Sequence, residues 1–259
     1  MKKIIFFDVD GTLLDHSVGM DSPSQKTIES IKKLEELGNY CVVATARSGL
    51  SEELSKLPFT GKILCNGAYI EYDKKELYNN YFSLEQLNNI ISKTNEVNGA
   101  YIMGGQKDIL ISETNNPLIK VHEQIYGELK SEEKLPINEK INGVTALFHT
   151  KEEMYSVLEK LPNEWSYHIY EEPNIHVDIY LFGYSKGGAV KYLYEHLGIP
   201  YENTYAFGDG QNDLEMMELV KYSTAMGNST DEIKNKAYAI TDNVTDDGIY
   251  KALKKYNLI

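Results

Sequence analysis

With 259 residues, 42% hydrophobic and 25% charged, the chain has the composition of an ordinary globular protein and room for one large domain or two small ones, which excludes disordered, collagen-like and coiled-coil readings. Its 39 acidic residues against 26 basic ones leave a formal charge of −13. Such a surface repels nucleic acid and anionic lipid, so any bound phosphate must be met by local cations.

The start, Lys2-Lys3-Ile4-Ile5-Phe6-Phe7, has the look of an export signal, but Asp8 cuts its apolar run at four residues, short of the ~7 such a signal needs. No other run approaches the ~18 apolar residues of a membrane span. The spacing predicts a strand over Lys3 to Phe7. A helix follows, capped by Ser22 or Ser24, carrying Ile28, Ile31, Leu34 and Leu37 and stopped by Gly38. Strands are expected at Tyr40 to Ala44 and Ile63 to Cys65. The two cysteines, Cys41 and Cys65, lie in separate apolar segments without a CxxC; they read as buried free thiols, and a cytoplasmic location is expected.

The middle of the chain has another rhythm. Ser83 and Gln86 make a capping box for a helix bearing Leu84, Leu87, Ile90 and Ile91, ended by Gly99. Strands are expected at 100–104 and 108–113, a helix near 117–126, a charged stretch at 128–140, a strand at 144–149 and a helix at 151–161. Two alternating strands close the region, Tyr167 to Tyr170 and Ile175 to Phe182. From Tyr201 short apolar strands return at Tyr205-Ala206-Phe207, Thr224-Ala225-Met226 and Tyr238-Ala239-Ile240. Continuous apolar strands alternating with helices imply a doubly wound α/β core with a parallel sheet. The expected division is therefore a core of residues 1–82 and 184–259, interrupted by an α+β domain at 83–183.

Ligands bind outside the carboxyl ends of such strands, where strand order reverses. Those ends carry Asp8 and Asp10, then Thr45, then Asn66, then Asp209. With a side-chain period of two, Asp8 and Asp10 leave a persisting strand on the same side, and Gly11 permits a tight turn behind them. The second acidic cluster, Gly208-Asp209-Gly210-Gln211-Asn212-Asp213, stands at another strand-to-helix junction. Oxygen donors of this kind suit a hard cation such as Mg²⁺. Met216 and Met217 read as core.

These stretches resemble the haloacid dehalogenase superfamily, specifically its Cof-type phosphatases with a large inserted cap of the C2B type. The first motif stands as Asp8-Val9-Asp10-Gly11-Thr12, and the second as Thr45-Ala46-Arg47, where alanine replaces the usual glycine. The third matches Lys186 in Ser185-Lys186-Gly187-Gly188-Ala189, and the fourth is complete at 208 to 213. The resemblance implies a Mg²⁺-dependent phosphatase for small phosphorylated metabolites, with Asp8 as nucleophile and Asp10 as acid and base. It assigns the metal to Asp8, Asp209 and the carbonyl of Asp10, and phosphate contacts to Lys186, Thr45, Asn212 and the amides at Val9 and Ala46. Asp213 is expected to orient Lys186 or a metal-bound water. Arg47 reaches either the substrate or an acid. The cap is expected to close over the site and set specificity.

A rival motif, Gly183-Tyr184-Ser185-Lys186-Gly187, fits the nucleophile elbow of serine hydrolases. Downstream of Ser185 stands one histidine, His196, inside the helix that the elbow would start, so Ser185 reads as a helix cap. The six histidines, His16 among them, show no HExxH pairing and read as structural or surface residues. Phosphoryl transfer to a sugar hydroxyl and a vestigial, ligand-sensing role stay open as alternatives. Neither the substrate nor the oligomeric state is legible.

Overall fold

The four consecutive apolar residues Ile4–Phe7 form a strand, β1, and all are fully buried. A strand buried on both faces belongs inside a sheet covered on both sides. The computed structural model of the protein describes residues 2–105, 109–112, 116–120, 130–131, 140–172 and 174–259. The chain divides into two compact units, Met1–Tyr78 with Tyr184–Ile259, and Asn79–Gly183.

In chain order β1 is followed by β2 (Tyr40–Ala44), β3 (Gly61–Leu64), β4 (Tyr69–Tyr72) and β5 (Lys75–Asn79). The second unit holds β6 (Ala100–Gly105), β7 (Ile109–Ile111), β8 (Lys130–Ser131), β9 (Ile141–Leu147), β10 (Ser166–Tyr170) and β11 (His176–Tyr180). The chain then returns with β12 (Thr204–Gly208), β13 (Tyr222–Ala225) and β14 (Ala239–Ile240).

The first unit's sheet has the order β14-β13-β12-β1-β2-β3-β4-β5. Phe7 pairs with Phe207 on one side and Val43 on the other, both parallel. From β1 the chain winds outward through β2 and β3, then resumes on the opposite side at β12. Order therefore reverses at β1, and a crevice opens at its carboxyl end. Helices Gln25–Glu36 and Gly248–Lys255 cover one face with Ile31, Leu34 and Leu253 over Phe7 and Phe207. Helices Lys186–His196 and Leu214–Glu218 cover the other with Val190, Leu193 and Met216 over Phe6 and Val42.

β4 and β5 depart from the all-parallel expectation, for β4 runs antiparallel to β3. The link between them, Asp73-Lys74, takes left-handed backbone (φ 49° and 61°) without a glycine. Asn98, also left-handed at φ 55°, precedes Gly99 where the helix Leu84–Glu96 ends.

The second unit's sheet has the order β10-β11-β9-β6-β7-β8. It is antiparallel except at β7 and β8. Helices Leu84–Glu96 and Lys151–Leu158, each with a capping box, contribute Leu87, Ile90 and Val157 to a core with Val144, Val177, Ile179 and Trp165. This matches the expected α+β layering. Of the helix expected near 117–126, residues 117–120 are helical; the rest, and most of the charged stretch, lies outside the described residues.

Candidate active site

Each strand end at the crevice delivers one part. Asp8 continues the sheet by donating its amide to the Phe207 carbonyl at 3.0 Å. The Val9 carbonyl then accepts from the amides of Thr12, Leu13 and Leu14, folding the following loop back on itself. Gly11 makes the turn at φ +80°, where a Cβ would stand 2.0 Å from Asp209 Oδ2. Glycine alone tolerates both the angle and the approach.

At the end of β2, buried Thr45 donates its amide to Ile63 at 2.9 Å, and its hydroxyl accepts from the Arg47 amide at 3.1 Å. The amides of Val9 and Ala46 donate to no acceptor among the described residues, which leaves them available to an anion. At the end of β12, Asp213 Oδ2 accepts from the amides of Asp209 and Gly210, each at 3.0 Å. The Thr12 hydroxyl donates to Asp209 Oδ1 at 3.1 Å, and Asn212 Nδ2 donates to Asn66 Oδ1 at 3.3 Å.

The fourth part comes from the helix Lys186–His196. Ser185 caps it by accepting from the Gly188 amide at 3.0 Å, the role expected of it in place of a nucleophile. Gly187 lets the helix lie against the backbone of Glu215, where a Cβ would stand 2.6 Å from the carbonyl carbon. Lys186 is thereby sent inward, buried, with Nζ 2.7 Å from Asp8 Oδ1 and 2.7 Å from Asp213 Oδ1.

Asp8, Asp209 and Asp213 bring carboxylate oxygens within 4.8 Å of one another. Burial, then the charges of Asp213 and Asp209, raise the Asp8 carboxyl well above the ordinary range, with Lys186 opposing. Burial and Asp213 push Asp209 up to about 7. Burial disfavours the Lys186 ammonium, but Asp213 and Asp8 outweigh it and raise its pKa. Three carboxylates facing one ammonium leave an excess of negative charge out of water, which is costly unless cations compensate it. The donor set is all oxygen, as a hard divalent cation requires. Asp213 already uses both oxygens on Lys186 and backbone amides, whereas Oδ2 of Asp8 and of Asp209 accept no hydrogen bond among the described residues. The group can hold a metal.

Asp10 stands apart from this group, its carboxylate forked by Arg47 at 2.8 and 2.6 Å. Of the two contacts expected for Arg47, this is the one with an acid. His16, read above as structural or surface, approaches Arg47 at 2.7 Å. Thr12 enters the site as well, and its place in the Asp-x-Asp-Gly-Thr string is signal enough for it.

The profile of the haloacid dehalogenase-like hydrolases matches residues 5–253. YkrA of Bacillus subtilis (strain 168) is 28% identical over 267 residues, covering 99% of this chain and 98% of that protein. The 5-amino-6-(5-phospho-D-ribitylamino)uracil phosphatase YcsE of the same strain is 26% identical over 261 residues, covering 99% of this chain and 96% of its own. Among solved structures, the HAD subclass IIB sugar phosphatase BT4131 superposes with a TM-score of 0.81 at 25% identity, covering 100% of both chains. The chain belongs to the haloacid dehalogenase-like hydrolase family and is an enzyme acting on phosphate esters. Among the described residues no helix is long and apolar enough to cross a membrane.

Proposed function

We propose that the protein is a Mg²⁺-dependent phosphatase that hydrolyses small phosphorylated metabolites through an aspartyl-phosphate. The observation that carries this reading is the buried Lys186 ammonium, 2.7 Å from both Asp8 and Asp213 at the carboxyl edge of the sheet. A doubly anionic monoester resists water, and a carboxylate nucleophile splits the reaction into two easier steps. In the first, an Asp8 oxygen bonds to phosphorus, the ester P–O bond breaks, and Asp10 gives its proton to the departing oxygen. In the second, water attacks phosphorus, Asp10 takes a water proton, and the bond to Asp8 breaks, freeing inorganic phosphate.

Lys186 and the amides of Val9 and Ala46 neutralise and orient the phosphoryl oxygens, with Thr45 and Asn212 donating beside them. Asp213 holds Lys186 in place. Asp8, Asp209 and the Asp10 carbonyl would hold Mg²⁺, which would supply the positive charge that lets two anions approach. The inserted unit selects the substrate. The YcsE and BT4131 names support phosphorylated sugars or ribityl compounds as the class to try first. Two free, buried cysteines suit a cytoplasmic setting.

The test is phosphate release from a panel of sugar, nucleotide and vitamin phosphates, in Mg²⁺ and in EDTA. Turnover in Mg²⁺ alone is expected, with Asp8→Asn reducing it by at least about 10³-fold at unchanged circular dichroism. Full activity of that variant would rule out the nucleophile, and activity in EDTA would rule out the metal.

A further inference from the structure

Arg47 grips Asp10 through Nε to Oδ2 at 2.8 Å and Nη2 to Oδ1 at 2.6 Å. Such a fork fixes a carboxylate in plane and direction, as a lysine cannot. Nη2 also lies 2.7 Å from His16 Nε2. A guanidinium only donates, so Nε2 is the acceptor and the ring proton sits on Nδ1. That atom lies 2.6 Å from Asp21 Oδ1. Every contact along the chain Asp21, His16, Arg47, Asp10 thus joins a donor to an acceptor. The Arg47 side chain is 11% exposed and that of Asp10 49%, so the guanidinium is the fixed part and the carboxylate the part it holds. The loop after β1 presents His16 on a short turn, His16–Val18, capped by Asp15 through the Ser17 amide at 3.0 Å and pinned where Asp15 pairs with Met20.

We propose that His16, braced by Asp21, is a positioning residue that acts through Arg47 to aim Asp10 as the base of the second step. The inference rests on the phosphatase reading given above. Both Asp10 oxygens accept from Arg47, which fixes the plane of the carboxylate and leaves a second lone pair on each oxygen to face water. Loss of the His16 acceptor removes one of the contacts that hold Nη2, and a small misalignment of a catalytic group costs rate steeply. Formation of the aspartyl-phosphate from an aryl phosphate hardly needs Asp10, because a phenolate leaves unprotonated. Its breakdown does need Asp10.

The experiment is stopped-flow and steady-state kinetics of the full chain with Mg²⁺ and 4-nitrophenyl phosphate. His16→Ala is expected to lower kcat about tenfold, part of what a general base contributes. Because kcat/KM covers only the steps through departure of the phenolate, it is expected to stay within about threefold, so that KM falls with kcat. A burst of nitrophenolate close to the enzyme concentration should appear. His16→Gln keeps an acceptor for Nη2 and should restore most of kcat, whereas Arg47→Lys should reproduce the burst. Parallel loss of kcat and kcat/KM without a burst, or no change at all, would overturn the positioning role. Asp8→Asn serves as the separate control: if it still turns over, the phosphatase mechanism has failed instead.

Discussion

Lys186 and Asp8 touch at 2.7 Å and both are buried, yet removing one or the other is expected to move stability in opposite directions. Lys186→Met strands the charges of Asp8 and Asp213 without their cation, and breaking a buried pair from one side costs about 3–5 kcal/mol. Asp8→Asn deletes one of three crowded carboxylates, and its raised pKa means that the fold disfavours the charged form. Thermal unfolding in EDTA at neutral pH should show Lys186→Met melting well below the parent chain and Asp8→Asn level with it or above. The opposite order would mean that the cluster is not short of positive charge. At this scale the sequence was informative wherever a short string carries its own chemistry, as at 8–12 and 208–213. The partner of Arg47 was not legible, because arginine suits phosphate and carboxylate alike and the choice depends on how two neighbouring strand ends turn. His16 carried no motif at all, and its placement follows from a loop that folds back through the Val9 and Asp15 carbonyls.

Elements place these side chains, and Gly11 is where an element boundary and the site coincide. Gly11→Ala forces a left-handed alanine, a strain of roughly 1–2 kcal/mol, and drives a methyl into Asp209. Its signature should be a midpoint a few degrees lower together with a Mg²⁺ requirement raised more than tenfold, read from activity against Mg²⁺ concentration; a shift in midpoint alone would mean that Asp209 does not hold the metal. The core strands were legible because both-face burial leaves unbroken apolar runs. The β4 and β5 hairpin was not: Tyr69 and Ile70 are buried in succession, so the strand lacks alternation, and its turn lacks the Asn-Gly signal that usually marks one. In the other sheet, Asp178 pairs with His168 on β10 and Thr145 on β9, with His176 and Tyr180 beside it on the same face of β11. Burial raises its carboxyl, against the Thr145 hydroxyl donating at 2.6 Å and the charge of His168. The neutral form is favoured in the fold, so this residue costs stability as pH rises above the ordinary value of 3.8. Asp178→Asn should therefore melt above the parent chain at pH 7, the gap closing as pH is lowered toward 3.8; a gap independent of pH would assign the effect to packing.

On the scale of the whole molecule, the two units have separate cores, one built around Phe7, Phe207 and Leu253 and the other around Ile90, Val144 and Ile179. The carboxylates that can hold the metal belong to the first unit, whereas the chain's single tryptophan, Trp165, belongs to the second, packed edge-on to Phe82 at 5.3 Å. A ligand that binds only the native form stabilises the unit that binds it, by about 2.7 kcal/mol at a hundred times its dissociation constant. For a unit of this size that is a shift of roughly 5–10 °C. Saturating Mg²⁺ should accordingly raise the midpoint followed by far-ultraviolet ellipticity, to which the eight-stranded sheet and its helices contribute, while the midpoint followed by Trp165 fluorescence stays within about a degree. Two-state behaviour fails in this way when cores do not share their cooperativity. If the Trp165 midpoint climbs in step with the ellipticity, the inserted unit unfolds as one body with the unit that carries the three carboxylates.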